Sequence, residues 1–288
     1  MKIVSMKITF SPKIAVIVAA AIFLHHNATA TPATVNLGTA SSFAILAYSE
    51  ITDAGGASTI TGNVGLSPTT GASIGLTAGQ VGGTIYTVAA AGPAGSVANA
   101  GLLTTATHDL GLAFTDASGR SATPLAGGDN QLGGKSLISG VYSFSAATTA
   151  NLIGTLTLDA QGNPNAVWIF QAPSTLVTAS HSSVVFKDGV GSACNVFWAV
   201  DSSATLGTYT TFVGNIMAYA SVGLDTGATL DGSALAETAA VTLNDNTITQ
   251  EDCSANGGRV PDTGSTLLLL GSGQAALLAF RQRFFSPA

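Results

Sequence analysis

Four short segments of the chain share one pattern of polar and apolar positions: Thr59-Ile-Thr-Gly-Asn63, Asn151-Leu-Ile-Gly-Thr155, Thr211-Phe-Val-Gly-Asn215 and Thr229-Leu-Asp-Gly-Ser233. Each reads small polar, apolar, variable, glycine, then Asn, Ser or Thr, and Thr247-Ile-Thr249 opens a further copy. The copies at 211, 229 and 247 begin 18 residues apart. That length suits one turn of a β-helix, whose turns bury their apolar sides only by stacking. Within a copy the alternation is that of a strand, with Phe212 and Gly214 on one side and Thr211, Val213 and Asn215 on the other. A second short strand precedes each late copy, carried by Ala204 and Leu206, Val222 and Leu224, and Val241 and Leu243. Stacked, these pairs predict apolar columns filling the interior. The recurring glycine predicts a place where a neighbouring element comes close.

One stretch breaks the repeat. Between Gly95 and Gly119, the residues Val97, Leu102, Leu103, Ala106, Leu110, Ala113 and Phe114 recur largely at helical spacing. Pro93 stands ahead of them and Gly119 closes them, as helix boundaries do. The pattern predicts one amphipathic helix, about 95–118, covering one side of the solenoid. It would separate an N-terminal coil, about 35–90, from a C-terminal stack, about 135–250. The fold class is mainly β, a solenoid with one long α-helix alongside.

The two ends belong to neither. Lys2, Lys7 and Lys13 precede the apolar run Ile14 to Leu24, and Ala28-Thr29-Ala30 offers a cleavage site. Residues 1–30 thus read as a secretory signal peptide, with an apolar run too short to span a membrane. At the other end, Val260-Pro-Asp-Thr-Gly264 leads into an apolar stretch from Leu267 to Phe280, followed by Arg281 and Arg283. This tail, 260–288, resembles bacterial C-terminal sorting tags handled by exosortase- or sortase-like transpeptidases. The resemblance implies a processing transpeptidase as partner, transient membrane insertion of the tail, and a secreted or surface-attached product. A plain hydrophobic helix packing on the domain is the alternative.

Charge narrows the function classes. Only 8% of residues are charged, and between the two ends the basic residues are Arg120, Lys135, Lys187 and Arg259. Fourteen acidic residues from Glu50 to Asp252 stand against them. Such a surface has no electrostatic footprint for nucleic acid. Disorder is excluded as well, because 46% of residues are hydrophobic.

Catalytic chemistry has little to draw on. His25 and His26 leave with the leader, His108 falls on the helix, and His181 reads as a solvated rung in place of Thr or Asn. Asp201, Asp225, Asp231 and Asp245 fall at turns or outward positions. Stacked coils could bring two carboxylates to the roughly 5 Å that a retaining glycosidase needs. Trp168 and Trp198, however, sit in apolar runs that predict burial rather than sugar platforms. No calcium or zinc spacing occurs, so neither metal nor cofactor is expected. Cys194 and Cys253 are the two cysteines. In an exported chain they are a possible disulfide, provided that the segment after Thr249 runs back along the solenoid.

A polar pattern marks the turn between the two strands: Thr208-Tyr-Thr-Thr211, Thr226-Gly-Ala-Thr229 and Asn244-Asp-Asn-Thr247, with Thr178-Ala-Ser-His181 and Thr148-Thr-Ala-Asn151 upstream. In a solenoid these become two rows of small hydroxyl or amide side chains. Residues i and i+3 cannot both face outward from one flat strand, so one row falls at a corner. Threonine is stiff and offers one methyl and one hydroxyl, so regular rows could hold water in a fixed two-dimensional array. Ladders of Thr and Asn also stabilise stacked strands with no further role.

Longer motifs resolve the choice. Ala40-Ser-Ser-Phe-Ala-Ile-Leu46 through Thr59-Ile-Thr-Gly-Asn-Val-Gly-Leu-Ser-Pro68, Asn165-Ala-Val-Trp-Ile-Phe-Gln171, Cys194-Asn-Val-Phe-Trp198 and Ala239-Ala-Val-Thr-Leu243 resemble the microbial ice-binding protein family with a discontinuous β-solenoid. The resemblance spans nearly all of 35–250. It implies a right-handed triangular β-helix with a long helix packed alongside. It also implies adsorption to ice and its ordered water through one flat face, without catalysis. The candidate ice-binding residues are Thr59, Thr61, Asn151, Thr178, Thr208, Thr211, Thr226, Thr229 and Thr247. His181, Val213 and Asp231 interrupt a pure threonine row, and Tyr209 is bulkier than the Ala or Gly expected after the first Thr. A surface adhesin holding glycans on the same scaffold is the alternative.

Overall fold

The computed structural model describes residues 31–125, 130–145 and 148–253. The leader at 1–30 and the tail at 260–288 lie outside the described residues. Among these, the strands form three sheets of ten, six and seven strands, every pair parallel. The chain visits the sheets in rotation. Val196–Val200 lies in the ten-stranded sheet, Ala204–Leu206 in the six-stranded one and Thr211–Val213 in the seven-stranded one. Asn215–Ala218 then returns to the first sheet beside Val196–Val200. Each circuit is one coil, so the predicted repeat is a turn of a three-sided β-helix.

Strand length and pattern follow from what covers each side. Ala204–Leu206, Val222–Leu224 and Val241–Leu243 are buried, open, buried. One side chain of each faces out while two fill the interior. In Val196–Val200 all five residues are buried, as a continuous apolar run requires when a sheet is covered on both faces. The inner side of that strand packs Trp198 between Phe170 (ring centroids 4.0 Å apart) and Phe212 (4.8 Å). Trp198 donates its indole N–H to the Val213 carbonyl at 3.0 Å, and Trp168 donates to Leu137 at 3.0 Å. Both tryptophans are fully buried.

The outer side is covered by helix α1 (Ala100–Gly119). Its start is fixed by Asn99, whose side-chain oxygen accepts from the Leu102 N–H at 3.0 Å. At its end the Gln171 amide donates to the Ala117 and Arg120 carbonyls, meeting acceptors that have no partner within the helix. Leu103, Ala106, Leu110, Ala113 and Ala117 form the buried stripe, packed on Phe43, Leu46, Phe197, Met217 and Leu235. The predicted helix thus begins five residues later than expected. Val97 belongs to a short strand, Val97–Ala98, and is 46% exposed rather than part of the apolar face.

The N-terminal coils are distant from the C-terminal stack in sequence but continuous with it in space. Ile45 pairs with Ala234, Ile51 with Val241 and Thr59 with Thr247. Among the described residues, the last complete coil therefore docks on the first in all three sheets. Asp53 reinforces this joint by accepting from the Ser58 hydroxyl (2.8 Å) and N–H, the Gln80 amide (2.6 Å) and the Asp245 N–H. Burial pushes the Asp53 carboxyl up, but these hydrogen bonds outweigh it and hold the pKa below its ordinary 3.8.

The segment after Thr249 cannot enter the ten-stranded sheet, because Phe43–Ala47 already lies beside Ala234–Ala236. It turns back instead, and Cys194 and Cys253 are joined as a disulfide with Cα atoms 5.4 Å apart.

Two outcomes test this packing. Leu103→Ala, at a fully buried position over Gly65, should cost about 2–5 kcal/mol in urea unfolding, with the β-sheet signal retained. A carboxyl whose folded pKa is lowered contributes stability above its unfolded value and loses it as pH falls through the folded one. Acid below about pH 4 should therefore loosen the joint, and Asp53→Asn should flatten that part of the acid-unfolding curve.

Candidate functional site

The outward side of the seven-stranded sheet carries one unbroken column of hydroxyls. Thr59 pairs with Thr247, Thr247 with Thr229, Thr229 with Thr211, Thr211 with Ser183, and Ser183 with Thr155. Six rungs in parallel register stand about 4.8 Å apart. The Thr155 and Ser183 hydroxyls are hydrogen-bonded at 2.8 Å. A second column, two residues on, begins with Thr61 and Thr249 and continues through Asp231 and Val213. Burial, then the nearby Glu251 carboxylate, push the Asp231 carboxyl up. At the far end of this face Lys187 and Asp159 form an ion pair at 2.7 Å.

A further row lies at the corner between the six- and seven-stranded sheets. The His181 N–H donates to the Thr208 carbonyl, the Tyr209 N–H to Thr226 and the Gly227 N–H to Asn244. Thr208, Thr226 and Asn244 are thus successive members, and the Asn244 amide donates to the Thr226 hydroxyl at 2.7 Å. The corner forces a left-handed backbone at His181 (φ 57), Tyr209 (55), Gly227 (70), Asp245 (54) and Gly56 (73). Only glycine takes that conformation without cost. His181 and Tyr209 stack at 5.3 Å, and the Tyr209 ring lies over Gly227, where an added Cβ would come within 2.5 Å of it.

Of the nine candidate residues, five stand on the seven-stranded sheet: Thr59, Thr61, Thr211, Thr229 and Thr247. Thr208 and Thr226 stand at its corner. The other two are displaced. Asn151 lies on the six-stranded sheet, paired with Val177. Its apparent repeat glycine, Gly154 (φ 86), turns the corner into the seven-stranded sheet, whereas Gly62, Gly214 and Gly232 turn the corner out of it. The true ladder member of that coil is Thr155. Thr178 faces inward and is 3% exposed. Its hydroxyl pairs with that of Thr210 at 2.9 Å and accepts from the Gly207 N–H at 2.8 Å. His181 accordingly occupies the left-handed corner rather than a rung.

Sequence reasoning missed an inner row just beneath the corner: Ser182, Thr210, Asn246 and Ser58, all buried. The Ser182 hydroxyl donates to the Leu152 carbonyl, and the Asn246 amide to Asp225 and Ala228. The available signal was a small, mostly polar residue immediately before each ladder Thr or Ser. These bonds satisfy the corner backbone and fix the direction in which the next strand leaves.

Among the described residues, no group of three or more His, Cys, Asp or Glu side chains could hold a metal ion. A hollow at the N-terminal coils is lined by small and apolar residues such as Gly71, Ile74, Leu76 and Pro93, with no titratable side chain.

The fold and its surface define a discontinuous parallel β-solenoid that displays a hydroxyl ladder on one uncovered face. Residues 45–249 match the family described as ice-binding-like, and the chain belongs to that family. The ice-binding protein of Nostoc sp. (strain HG1) is 42% identical over 277 residues, covering 94% of this chain and 96% of that one. The ice-binding protein of Flavobacterium frigoris (strain PS1) is 40% identical, covering 75% and 76%. Among solved structures, the ice-binding protein of Antarctomyces psychrotrophicus superposes with a TM-score of 0.65 at 38% identity. It covers 76% of this chain and all of that one. A Shewanella frigidimarina ice-binding domain gives 0.67 at 28%, covering 77% and 100%. Residues 259–284 match the VPDSG-CTERM motif, a C-terminal sorting signal.

Thr178→Val tests the corrected placement. It should leave the Gly207 N–H without its partner and cost about 1–3 kcal/mol of stability, measured by urea unfolding. The exposed ladder, and whatever it binds, should be unaffected.

Proposed function

We propose that this protein adsorbs to ice through the seven-stranded face, with Thr155, Ser183, Thr211, Thr229, Thr247 and Thr59 as the contact column and Thr208, Thr226 and Asn244 as a flanking row. The observation that carries this reading is the register: six hydroxyl rungs, none charged, follow one another without a break. Each β-branched threonine has few rotamers. Its methyl faces a cage of water while its hydroxyl anchors one member of that cage. Repetition at strand spacing imposes a lattice on the bound water that can merge with an ice plane. The six-stranded face is a poorer template. Its central column runs Asn151, Val177, Thr205, Gly223, Thr242 and Thr52, so hydroxyls there are interrupted by an amide, an isopropyl group and a bare glycine.

The absence of catalysis and the surface location belong to the same reading. The leader exports the chain, and the C-terminal tail inserts briefly in the membrane until a transpeptidase attaches the protein at the cell surface. The ladder then holds the cell against ice or keeps neighbouring crystals small.

Replacement by tyrosine locates the face. Thr211→Tyr and Thr229→Tyr should abolish most thermal hysteresis and ice partitioning while circular dichroism shows an intact fold. Thr205→Tyr and Thr242→Tyr on the six-stranded sheet should retain activity. The reverse pattern would move the site to that sheet. Smooth, unhindered crystal growth by folded wild-type protein would defeat the ice reading itself.

A further inference from the structure

We infer that Gln250–Cys253 is a latch across the joint between the N-terminal coils and the C-terminal stack, with the Cys194–Cys253 disulfide as its catch. The segment holds both sides at once. On the N-terminal side, the Gln250 N–H donates to the Thr61 carbonyl at 2.9 Å, and its side-chain amide donates to the Ser41 carbonyl at 2.6 Å. On the stack side, Glu251 accepts from the Ser192 hydroxyl at 2.7 Å, and Cys253 is bonded to Cys194. Between these points the segment passes the coil of Asp231, close enough for Glu251 to act on that carboxyl. It therefore crosses from the coil of Thr59–Thr61 to the turn ahead of Val196–Val200.

The joint needs such a device more than any other coil boundary. Elsewhere consecutive coils are linked by the chain itself, so parting them means stretching a covalent connection a few residues long. Between Thr247–Thr249 and Thr59–Thr61 the covalent path runs back through the stack and α1. The disulfide, which returns to Cys194 on the stack side, instead pins the segment whose Gln250 reaches across the joint. Ladder hydrogen bonds and apolar contacts hold Thr59 beside Thr247, Ile51 beside Val241 and Ile45 beside Ala234, and the two Gln250 bonds add to them at the edge of the joint. The joint also lies within the hydroxyl column, whose two rungs there are Thr247 and Thr59. They carry its Thr-x-Thr pairs with Thr249 and Thr61.

Opening the catch takes two electrons and two protons from a dithiol reductant, which becomes a cyclic disulfide while Cys194 and Cys253 become thiols. The segment is then free to lift, the Gln250 bonds to Thr61 and Ser41 lose their support, and the joint loosens at that end of the column. This consequence for ice rests on the proposed adsorption face; the latch itself does not.

Hydrogen exchange read by mass spectrometry on folded full-length protein, with and without a dithiol reductant, separates the two. Reduction should speed exchange by about tenfold or more in peptides holding Thr59–Thr61 and Thr247–Thr249. Peptides holding Leu156–Leu158 and Val184–Phe186 should keep their rates. Gln250→Ala, with the disulfide intact, should produce a smaller change in the same peptides. Unchanged exchange at the joint, or an equal rise throughout the stack, would overturn the latch. Thermal hysteresis measured on the same reduced samples should fall with joint opening. Joint opening without that fall would count against the adsorption face and leave the latch standing.

Discussion

Parallel pairing between the chain's last coil and its first is the interaction on which the rest of the structure depends. A stack of coils ends in unpaired strand edges, and such edges pair with whatever strand they meet. Here the edges of Ala234–Ala236, Val241–Leu243 and Thr247–Thr249 are met by Phe43–Ala47, Ile51–Asp53 and Thr59–Thr61 of the same molecule. Helix α1 makes that return possible. Its 20 residues, about 30 Å at helical rise, take the chain from the N-terminal coils along the outside of the ten-stranded sheet. The stack is then built back toward its own beginning. One consequence is that the hydroxyl column is assembled from both ends of the domain.

The corner between the six- and seven-stranded sheets sets where each rung of that column begins. Each ladder threonine leaves a turn whose preceding backbone is left-handed, and the turn is held from inside by Ser182, Thr210, Asn246 and Ser58. The buried hydroxyls and amides do not contact solvent. They hold the turn ahead of the rungs in place, so the column inherits its regularity from beneath. Tyr209 and His181 mark the limit of this economy. Both accept a left-handed backbone that glycine would take freely, and their stacked rings are accommodated because Gly227 has no side chain in the way.

Much of this was legible in the sequence. The 18-residue spacing from 211 to 247, the apolar pairs such as Val222 and Leu224, and the helical stripe around Leu103 and Leu110 report on contacts between neighbouring coils or within one helix. Such contacts leave a period behind. What the period could not give was register across corners of unequal length. The turn from Leu152 to Thr155 is shorter than that from Leu206 to Thr211, so aligning by glycine placed Asn151 on the ladder and overlooked Thr155. Thr178 went astray for a related reason. Composition marks a threonine as small and polar but does not tell an outward rung from a buried hydroxyl tying one coil to the next. Docking of the first coil on the last was outside the reach of any periodic pattern, because it joins distant segments, 192 residues apart at Asp53 and Asp245.

The scarcity of charge acquires a physical sense once the ladder is in view. A lysine or glutamate beside the column would hold its own hydration shell and move through many rotamers, and both would disturb an ordered water layer. Threonine, serine and asparagine are neutral and short. What they lack in individual affinity for water they recover through repetition. Repetition at fixed spacing in turn requires a scaffold whose rungs cannot slip, and parallel in-register strands over a core of stacked Phe170, Trp198 and Phe212 meet that requirement. Stiffness of the core, order at the corner and neutrality of the hydroxyl column are therefore one constraint expressed at three levels. Loss of any of them would leave hydroxyls on a surface without a lattice.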